Sequence, residues 1–145
     1  MNEKQAEVVE WIIKADHDLG TAIVTYLHIP EFKDTVTFHC QQSVEKCLKA
    51  YLIYNGINFK FSHDLIFLLE LIHTKDNTID EYFDKIVKLQ NYAVEIRYPN
   101  EIIFLTDEKV LDAIDTSKMI RKVICDKMNI IIKYNDIIDE ELPSR

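Results

Sequence analysis

The side chains best suited to bind a ligand lie in three short polar segments of this sequence. One segment contains Arg97, whose planar guanidinium suits bidentate recognition of a phosphate or a carboxylate. In an antiparallel helical bundle, the middle of a second helix, the start of a third and the end of a fourth can lie close together. We therefore predict that the segments meet in one groove. The candidate ligand-binding residues are Gln42, Glu45, Lys46, Lys49, His63, Asp64, Arg97 and Tyr98.

A purely structural use of these polar residues is an equal alternative. His63 or Asp64 can bond to a helix end, and Arg97 can pair with Glu45. Glu45 and Lys49 are four residues apart, a spacing that stabilises an exposed helix by only ~0.3–0.5 kcal/mol. The pattern also fits a core helix whose polar face is solvated.

Other titratable residues give no catalytic or metal-binding motif. Asp16, His17 and Asp18 are consecutive, so on a helix they point in different directions and are predicted to be solvated charges. His39 and Cys40 point apart for the same reason. The sequence has only two glycines, which excludes a Gly-rich phosphate loop, and it has no His-Glu-x-x-His or cysteine–histidine metal spacing. We therefore predict no catalytic residue, no metal and no resident cofactor.

The cysteines and the overall charge indicate a cytoplasmic protein. The count is odd, no Cys-x-x-Cys occurs, and Cys40 and Cys47 would lie about 10 Å apart on one helix, too far for a disulfide. Reduced thiols are typical of the cell interior. The polar N-terminus does not resemble a signal peptide, and no apolar run reaches membrane-spanning length. A net charge of −8 disfavours an extended nucleic-acid-binding surface.

Apolar residues recur at helical spacing through most of the chain, and only three prolines and two glycines interrupt it. This pattern predicts an all-α fold, an up-and-down bundle of about five helices. We expect a single domain over residues 1–134 and an acidic, flexible tail over residues 135–145. The predicted helices cover residues 3–27, 32 or 33–54, 62–73, 78–97 and 106–134. Ser62, Thr78 and Thr106 are the predicted caps of the last three.

Four segments together resemble the HEPN family, named for higher eukaryotes and prokaryotes nucleotide-binding. Their order and spacing match over about residues 8 to 134, and the Glu-Lys-x-x-Lys-Ala helix followed by His-Asp-Leu and Arg-Tyr-Pro is fairly specific. The segments are Ala15-Asp-His-Asp-Leu19, Phe38-His-Cys-Gln-Gln-Ser-Val-Glu-Lys-Cys-Leu-Lys-Ala50, Ser62-His-Asp-Leu65 and Arg97-Tyr98-Pro99.

The resemblance implies a helical bundle that forms homodimers, and one of two broad roles. Many HEPN proteins look like ribonuclease toxins encoded beside a minimal nucleotidyltransferase that acts as antitoxin, whereas others resemble nucleotide-binding modules. In the ribonuclease branch, four to six residues separate an arginine from a following histidine. Here positions 102 to 104, which follow Arg97 at that spacing, are Ile, Ile and Phe, and Arg121 is not followed by a histidine either.

The resemblance therefore suggests a non-catalytic module that binds a nucleotide such as ATP or GTP, a minimal nucleotidyltransferase protein, or both, in a toxin–antitoxin-like system. Lys46, Lys49 and Arg97 would supply positive charge for phosphates, and Tyr98 would stack on a base. One alternative is an RNA-cleaving toxin with a displaced site, in which His63 or His39 replaces the missing histidine. Another is a purely structural dimerisation domain.

Overall fold

The described part of the chain contains five α-helices. The structure, a computed structural model, describes residues 1–95 and 105–133 together with the single positions 138 and 142. The helices are α1 (Glu3–His28), α2 (Lys33–Tyr54), α3 (Leu65–His73), α4 (Phe83–Glu95) and α5 (Asp107–Met128), and a 3₁₀ helix over Asn77–Tyr82 precedes α4. No strand occurs among the described residues. The predicted all-α fold is confirmed.

Helix α2 lies at the centre of the molecule and packs against α1, α3, α4 and α5. Its apolar residues Cys40, Val44, Cys47, Leu48 and Leu52 are completely buried. A helix with neighbours on several sides has little surface exposed to solvent, so some of its polar residues are buried as well.

Helix α1 packs on α2 through the apolar stripe that its sequence predicts. The spacing of three and four residues places these side chains on one face, and all of them are buried. Burial of each large aliphatic side chain stabilises the fold by roughly 1.5–3 kcal/mol. The stripe consists of Val8, Ile12, Ala15, Leu19, Ala22, Ile23 and Tyr26.

The end of α2 follows the predicted stop signal. Gly56 has a φ of 69°, a left-handed conformation that glycine adopts without a Cβ clash. The amide of Ile57 then bonds to the carbonyl of Leu52 at 2.9 Å, which satisfies one of the last free carbonyls of the helix.

The start of α3 differs from the prediction by two residues. Asp64, rather than Ser62, is the N-cap, and its carboxylate accepts a hydrogen bond of 3.0 Å from the amide of Ile66. Ser62 Oγ instead accepts from the amide of Asp64 itself. Both residue types cap well, so the spacing of the apolar stripe alone did not decide between them.

The start of the fourth helix was also predicted wrongly. The segment after Asp76 forms a 3₁₀ helix, with Asp76 as its cap, and the α-helix proper begins at Phe83. Thr78 does not cap; its amide donates to Asp76. Phe83, the first residue of that α-helix, is 39% exposed.

Helix α5 ends at Met128, before the predicted end at Tyr134. Asn129 adopts a left-handed conformation with a φ of 53° and terminates the helix. Ile131, inside the predicted helix, lies beyond the observed one and is 96% exposed.

Two predicted features lie partly outside the described residues. These are the end of the fourth helix, with Arg97 and Tyr98, and the tail over residues 135–145, of which Ile138 is buried and Leu142 packs on the core. No helix in the described part of the chain is long and apolar enough to cross a membrane.

Candidate functional site

The polar face of α2 is buried, which corrects the prediction of a solvated face. Glu45 is 2% exposed, Lys49 is 3% exposed and Gln41 is 4% exposed. The physical reason is the central position of α2, because neighbouring elements cover the side that the sequence pattern would leave to water. Charged groups in such a place must be paired, since an isolated buried charge costs several kcal/mol.

Glu45 is paired with Lys49 and His63, and we call these three residues the Glu45 cluster. Its carboxylate accepts a hydrogen bond of 3.1 Å from Lys49 Nζ and lies 2.8 Å from His63 Nδ1. Because an ionised carboxylate only accepts, Nδ1 carries the proton and Nε2 is the outer nitrogen. The His63 side chain is 51% exposed. The cluster therefore connects a buried acid to an accessible imidazole.

Two aromatic rings flank the buried ammonium of this cluster. Lys49 Nζ lies 5.6 Å from the ring centroid of Trp11 and 5.2 Å from that of Phe61. These distances fall within the range of attractive cation–π contacts. Lys49 is thus held by Glu45 and by both rings, and its charge is directed inward.

A second cluster forms where α1 meets α2, and we call it the Asp18 cluster. Asp18 accepts from His39 Nδ1 at 2.9 Å and from Lys46 Nζ. The Asp18 side chain is only 13% exposed, so the prediction of a solvated charge is wrong for this residue. Lys46 remains 24% exposed. As in the Glu45 cluster, a carboxylate fixes an imidazole through Nδ1.

Asp16 also departs from the predicted solvated state. It pairs with the buried Arg121 of α5 through two hydrogen bonds of 2.7 and 2.9 Å, the bidentate geometry that a guanidinium favours. Arg121 additionally donates to the carbonyl of Ile132 at 2.9 Å. The pair joins α1, α5 and the segment after α5. His17 is exposed as expected.

Glutamine side chains connect the start of α3 to α2 and α4. Gln41 Nε2 donates to the carbonyl of His63 at 3.1 Å, and Gln42 Nε2 donates to Gln41 Oε1 at 2.9 Å. The amide of Leu65 donates to Gln90 Oε1 of α4 at 2.6 Å. The second helix, the start of the third and Gln90 of the fourth are therefore linked, while the predicted end of the fourth helix with Arg97 lies outside the described residues.

Three of the eight predicted site residues, Glu45, Lys49 and His63, lie in one cluster, whereas Lys46 belongs to the Asp18 cluster. Asp64 is exposed and its carboxylate caps α3, and Arg97 and Tyr98 lie outside the described residues. The predicted pairing of Glu45 with Arg97 has no counterpart among the described contacts, in which Lys49 and His63 hold that carboxylate. Gln42 is in neither cluster, and its amide donates to Gln41.

The cysteines are unsuited to nucleophilic chemistry. All three are free and buried. Burial raises the pKa of the Cys40 thiol to about 12 and also raises the pKa values of Cys47 and Cys125. Since the thiolate is the reactive form, these groups stay protonated and inert at neutral pH.

A further network lies at the C-terminal end of α2. Asp76 accepts hydrogen bonds from Tyr51 Oη at 2.6 Å and from Lys127 Nζ at 2.8 Å. Burial by itself raises the pKa of Asp76, but hydrogen bonds from Lys127, Thr78 and Tyr51 outweigh it and lower that pKa well below its usual range. Burial, together with Asp76, raises the pKa of Tyr51 to about 12. The network joins α2, the 3₁₀ helix and α5.

Among the residues that the structure describes, no three His, Cys, Asp or Glu side chains are grouped so as to hold a metal ion. The family model of the HEPN domain matches residues 8–129, which is most of the chain. The chain belongs to the HEPN family. Searches of curated proteins and of solved structures found no protein that matches this HEPN chain.

Sequence reasoning missed several residues that complete the two clusters. The sequence predicts Asp18 to be a solvated charge, and it offers His39 only in the RNA-cleaving alternative. Asp18 contacts two α2 residues, His39 and Lys46, which are seven positions apart. This spacing on α2 is the feature of the sequence that could have indicated the cluster. Phe61 and Trp11 carried no detectable signal, because a contact with the Lys49 ammonium depends on tertiary packing.

Proposed function

We propose that this HEPN protein is a homodimeric module without catalytic activity that binds a nucleotide, a minimal nucleotidyltransferase protein, or both. The family membership supports a HEPN role, and the arrangement of polar residues around α2 supports a binding role. The nature of the ligand follows from the chemistry of those residues.

The observation that carries this proposal is the pair of carboxylate-anchored histidines beside α2. His39 and His63 are each fixed through Nδ1, by Asp18 and Glu45, so each Nε2 has a set direction. An imidazole held in this way accepts a hydrogen bond at Nε2 from a donor on the edge of a base, or donates to a phosphate oxygen when both ring nitrogens are protonated, without losing much conformational entropy. Gln42 is partly exposed and lies three positions after His39 on α2, so it adds an amide group beside that histidine.

The described contacts change the roles that the sequence suggested for the two lysines. Lys49 is almost completely buried and bonded to Glu45, so it supports the site rather than contacting phosphate. Lys46 is accessible enough to shift from Asp18 towards a ligand. In this proposal phosphate recognition belongs to Lys46, His63 and Arg97, and Tyr98 stacks on the base.

Calorimetric titration with ATP and with GTP tests the nucleotide arm. We expect Lys46→Ala and Arg97→Ala each to weaken binding by about tenfold or more, since each removes a charged hydrogen bond to phosphate. Lys85→Ala is the matched control, because Lys85 is exposed on α4. The absence of binding heat at millimolar nucleotide would exclude this arm.

Co-purification tests the protein arm. If a small nucleotidyltransferase is encoded beside this gene, we expect it to form a complex with this chain when the two are co-expressed. Separate elution of the two purified proteins in size-exclusion chromatography would contradict that expectation.

A second candidate function, RNA cleavage at a displaced site, is favoured by the same anchored histidines. A carboxylate on Nδ1 leaves Nε2 free for proton transfer, which is the arrangement of a general base or acid. We would then expect growth arrest on expression, abolished by Arg97→Ala, and RNA cleavage that is lost in His39→Ala and in His63→Ala. Intact RNA after incubation with the pure protein would reject this candidate.

A further inference from the structure

Phe61 is the most exposed phenylalanine, tyrosine or tryptophan that the structure describes. It lies in the connection between α2 and α3, two residues before His63 of the Glu45 cluster. The residue is 83% exposed, whereas the next most exposed of these aromatic residues in the described part of the chain, Phe32, is 47% exposed. A ring with so little buried area contributes little to the hydrophobic core, so packing alone does not require an aromatic residue at this position.

Two contacts hold the Phe61 ring in a set position despite this exposure. Lys49 Nζ lies over the ring, 5.2 Å from its centroid. The ring of His63 meets it edge-to-face, with a centroid separation of 4.7 Å and an interplanar angle of 85°. Both of these side chains are bonded to the buried carboxylate of Glu45. The Glu45 cluster therefore positions an aromatic ring at the surface of the protein.

The surroundings of the Phe61 ring favour the stacking of another flat ring. The Lys49 ammonium that contacts it is 3% exposed, while most of the remaining ring surface is open to solvent. A cation against an aromatic ring draws electron density towards itself, so the ring stacks more favourably on an electron-rich partner. Nucleobases stack on aromatic side chains in this way, and the two fused rings of a purine offer the larger contact area.

The exposed ring adjoins a polar group of the proposed binding site. His63 is bonded to Glu45 through Nδ1, and its outer nitrogen belongs to a side chain that is 51% exposed. Because the rings of Phe61 and His63 are in contact, a nucleotide whose base lies on Phe61 has its other groups beside His63. A ring that is already held in place loses little conformational entropy when the ligand binds.

We propose that Phe61 is the platform on which the base of a bound nucleotide stacks, and that the site prefers purine nucleotides. This inference rests on the proposed nucleotide-binding function and adds base recognition by a described residue to it. The stacking on Phe61 supplements that assigned to Tyr98. Lys49 and His63 act as positioning residues for the platform.

Calorimetric titration of Phe61 variants with ATP and CTP tests the platform. Phe61→Leu keeps an apolar side chain but removes the ring, so we expect its affinity for ATP to fall about tenfold and its preference for ATP over CTP to shrink. Phe61→Trp keeps an aromatic ring and should bind ATP at least as tightly as the wild type. Wild-type affinity for ATP in Phe61→Leu, or an equal loss in Phe61→Trp, would overturn the inference.

Inorganic tripolyphosphate distinguishes stacking from a structural role of the ring. This ligand has no base, so we expect the wild type and Phe61→Leu to bind it with the same affinity. Equal losses of affinity for tripolyphosphate and for ATP would show that Phe61 only shields Lys49, and would overturn the platform.

Phe32→Leu is the matched control for the loss of a partly exposed ring. Phe32 precedes Lys49 by seventeen residues, so about 25 Å separates the two along α2. Its affinity for ATP should equal that of the wild type. Thermal melts of all the variants show that each is folded at the temperature of the titration.

The outcomes separate this inference from the proposed function. A wild type that binds ATP, together with a Phe61→Leu protein that binds it equally well, overturns the platform and leaves the nucleotide-binding function intact. A wild type that gives no binding heat at millimolar ATP overturns both.

Discussion

At the scale of single residues, the ion pair between Asp16 and Arg121 gives the sharpest expectation for stability. Asp16→Asn leaves the Arg121 guanidinium buried without its carboxylate, which typically costs about 3–5 kcal/mol. Asp126→Asn is the matched control, because its partner Lys122 and Asp126 itself are mostly exposed, and its effect should stay below about 1 kcal/mol. Urea denaturation measures both. Equal effects would show that the Asp16 pair is not buried in solution.

The lowered pKa of Asp76 predicts how the stability of the protein falls at low pH. Its pKa is lowered in the folded state, so its contribution is present above the unfolded value of about 3.8 and is lost as the pH falls below it. We expect the melting temperature of the wild type to drop steeply below pH 4. Asp76→Asn should be less stable at pH 7 by about 1.5–3 kcal/mol and should show a flatter acid limb. Parallel acid limbs would contradict this role.

The raised pKa of Tyr51 predicts a loss of stability at high pH. Its pKa is raised to about 12, so its contribution is complete below pH 10 and is lost as the pH rises from about 10 towards 12. Tyr51→Phe should therefore remove part of the alkaline destabilisation. Thermal melts of the two proteins between pH 8 and pH 12 measure the difference, and superimposable pH profiles would show that the phenol is not held by Asp76.

At the scale of the elements, Asp64 has two candidate roles, as the cap of α3 and as a ligand-binding residue, and its substitution distinguishes them. The structure uses its carboxylate to cap α3, so Asp64→Ala should destabilise the protein by about 0.5–2 kcal/mol. Nucleotide affinity should not change, since Asp64 makes no described contact with either cluster. Ser62→Ala is the neighbouring control and should cost less. Weaker nucleotide binding without a loss of stability would show instead that Asp64 belongs to the binding site.

The elements also show why polar residues on α2 were misjudged. Helical spacing identifies which residues share a face, and it placed Glu45 and Lys49 together correctly. It does not say whether another element covers that face. Here α1 and the segment before α3 supply Trp11, Phe61 and His63, so a face that looked solvated became a buried network.

At the scale of the whole molecule, the sequence predicted the helical bundle well because the information is local. Apolar periodicity defines each stripe, and Gly56 marks a helix end without reference to the rest of the fold. The clusters around Asp18 and Glu45 depend on which helices become neighbours, and single-sequence periodicity does not contain that. The family resemblance indicated the right segments but did not assign their partners.

For the whole molecule we propose a nucleotide-binding surface formed by the partly exposed side chains of Lys46 and His63, since the face of α2 that carries Glu45 and Lys49 is buried. Lys46 is the described residue on which it depends most, because Lys49 is buried and committed to Glu45. Lys46→Ala also releases Asp18, so its melting temperature should be measured beside its affinity.

Titration of the wild type, Lys46→Ala and Lys85→Ala with ATP and GTP is the most direct test. The account predicts saturable binding by the wild type and by Lys85→Ala, and an affinity at least about tenfold lower for a folded Lys46→Ala protein. No binding by the wild type, or equal affinities for all three proteins, would contradict it.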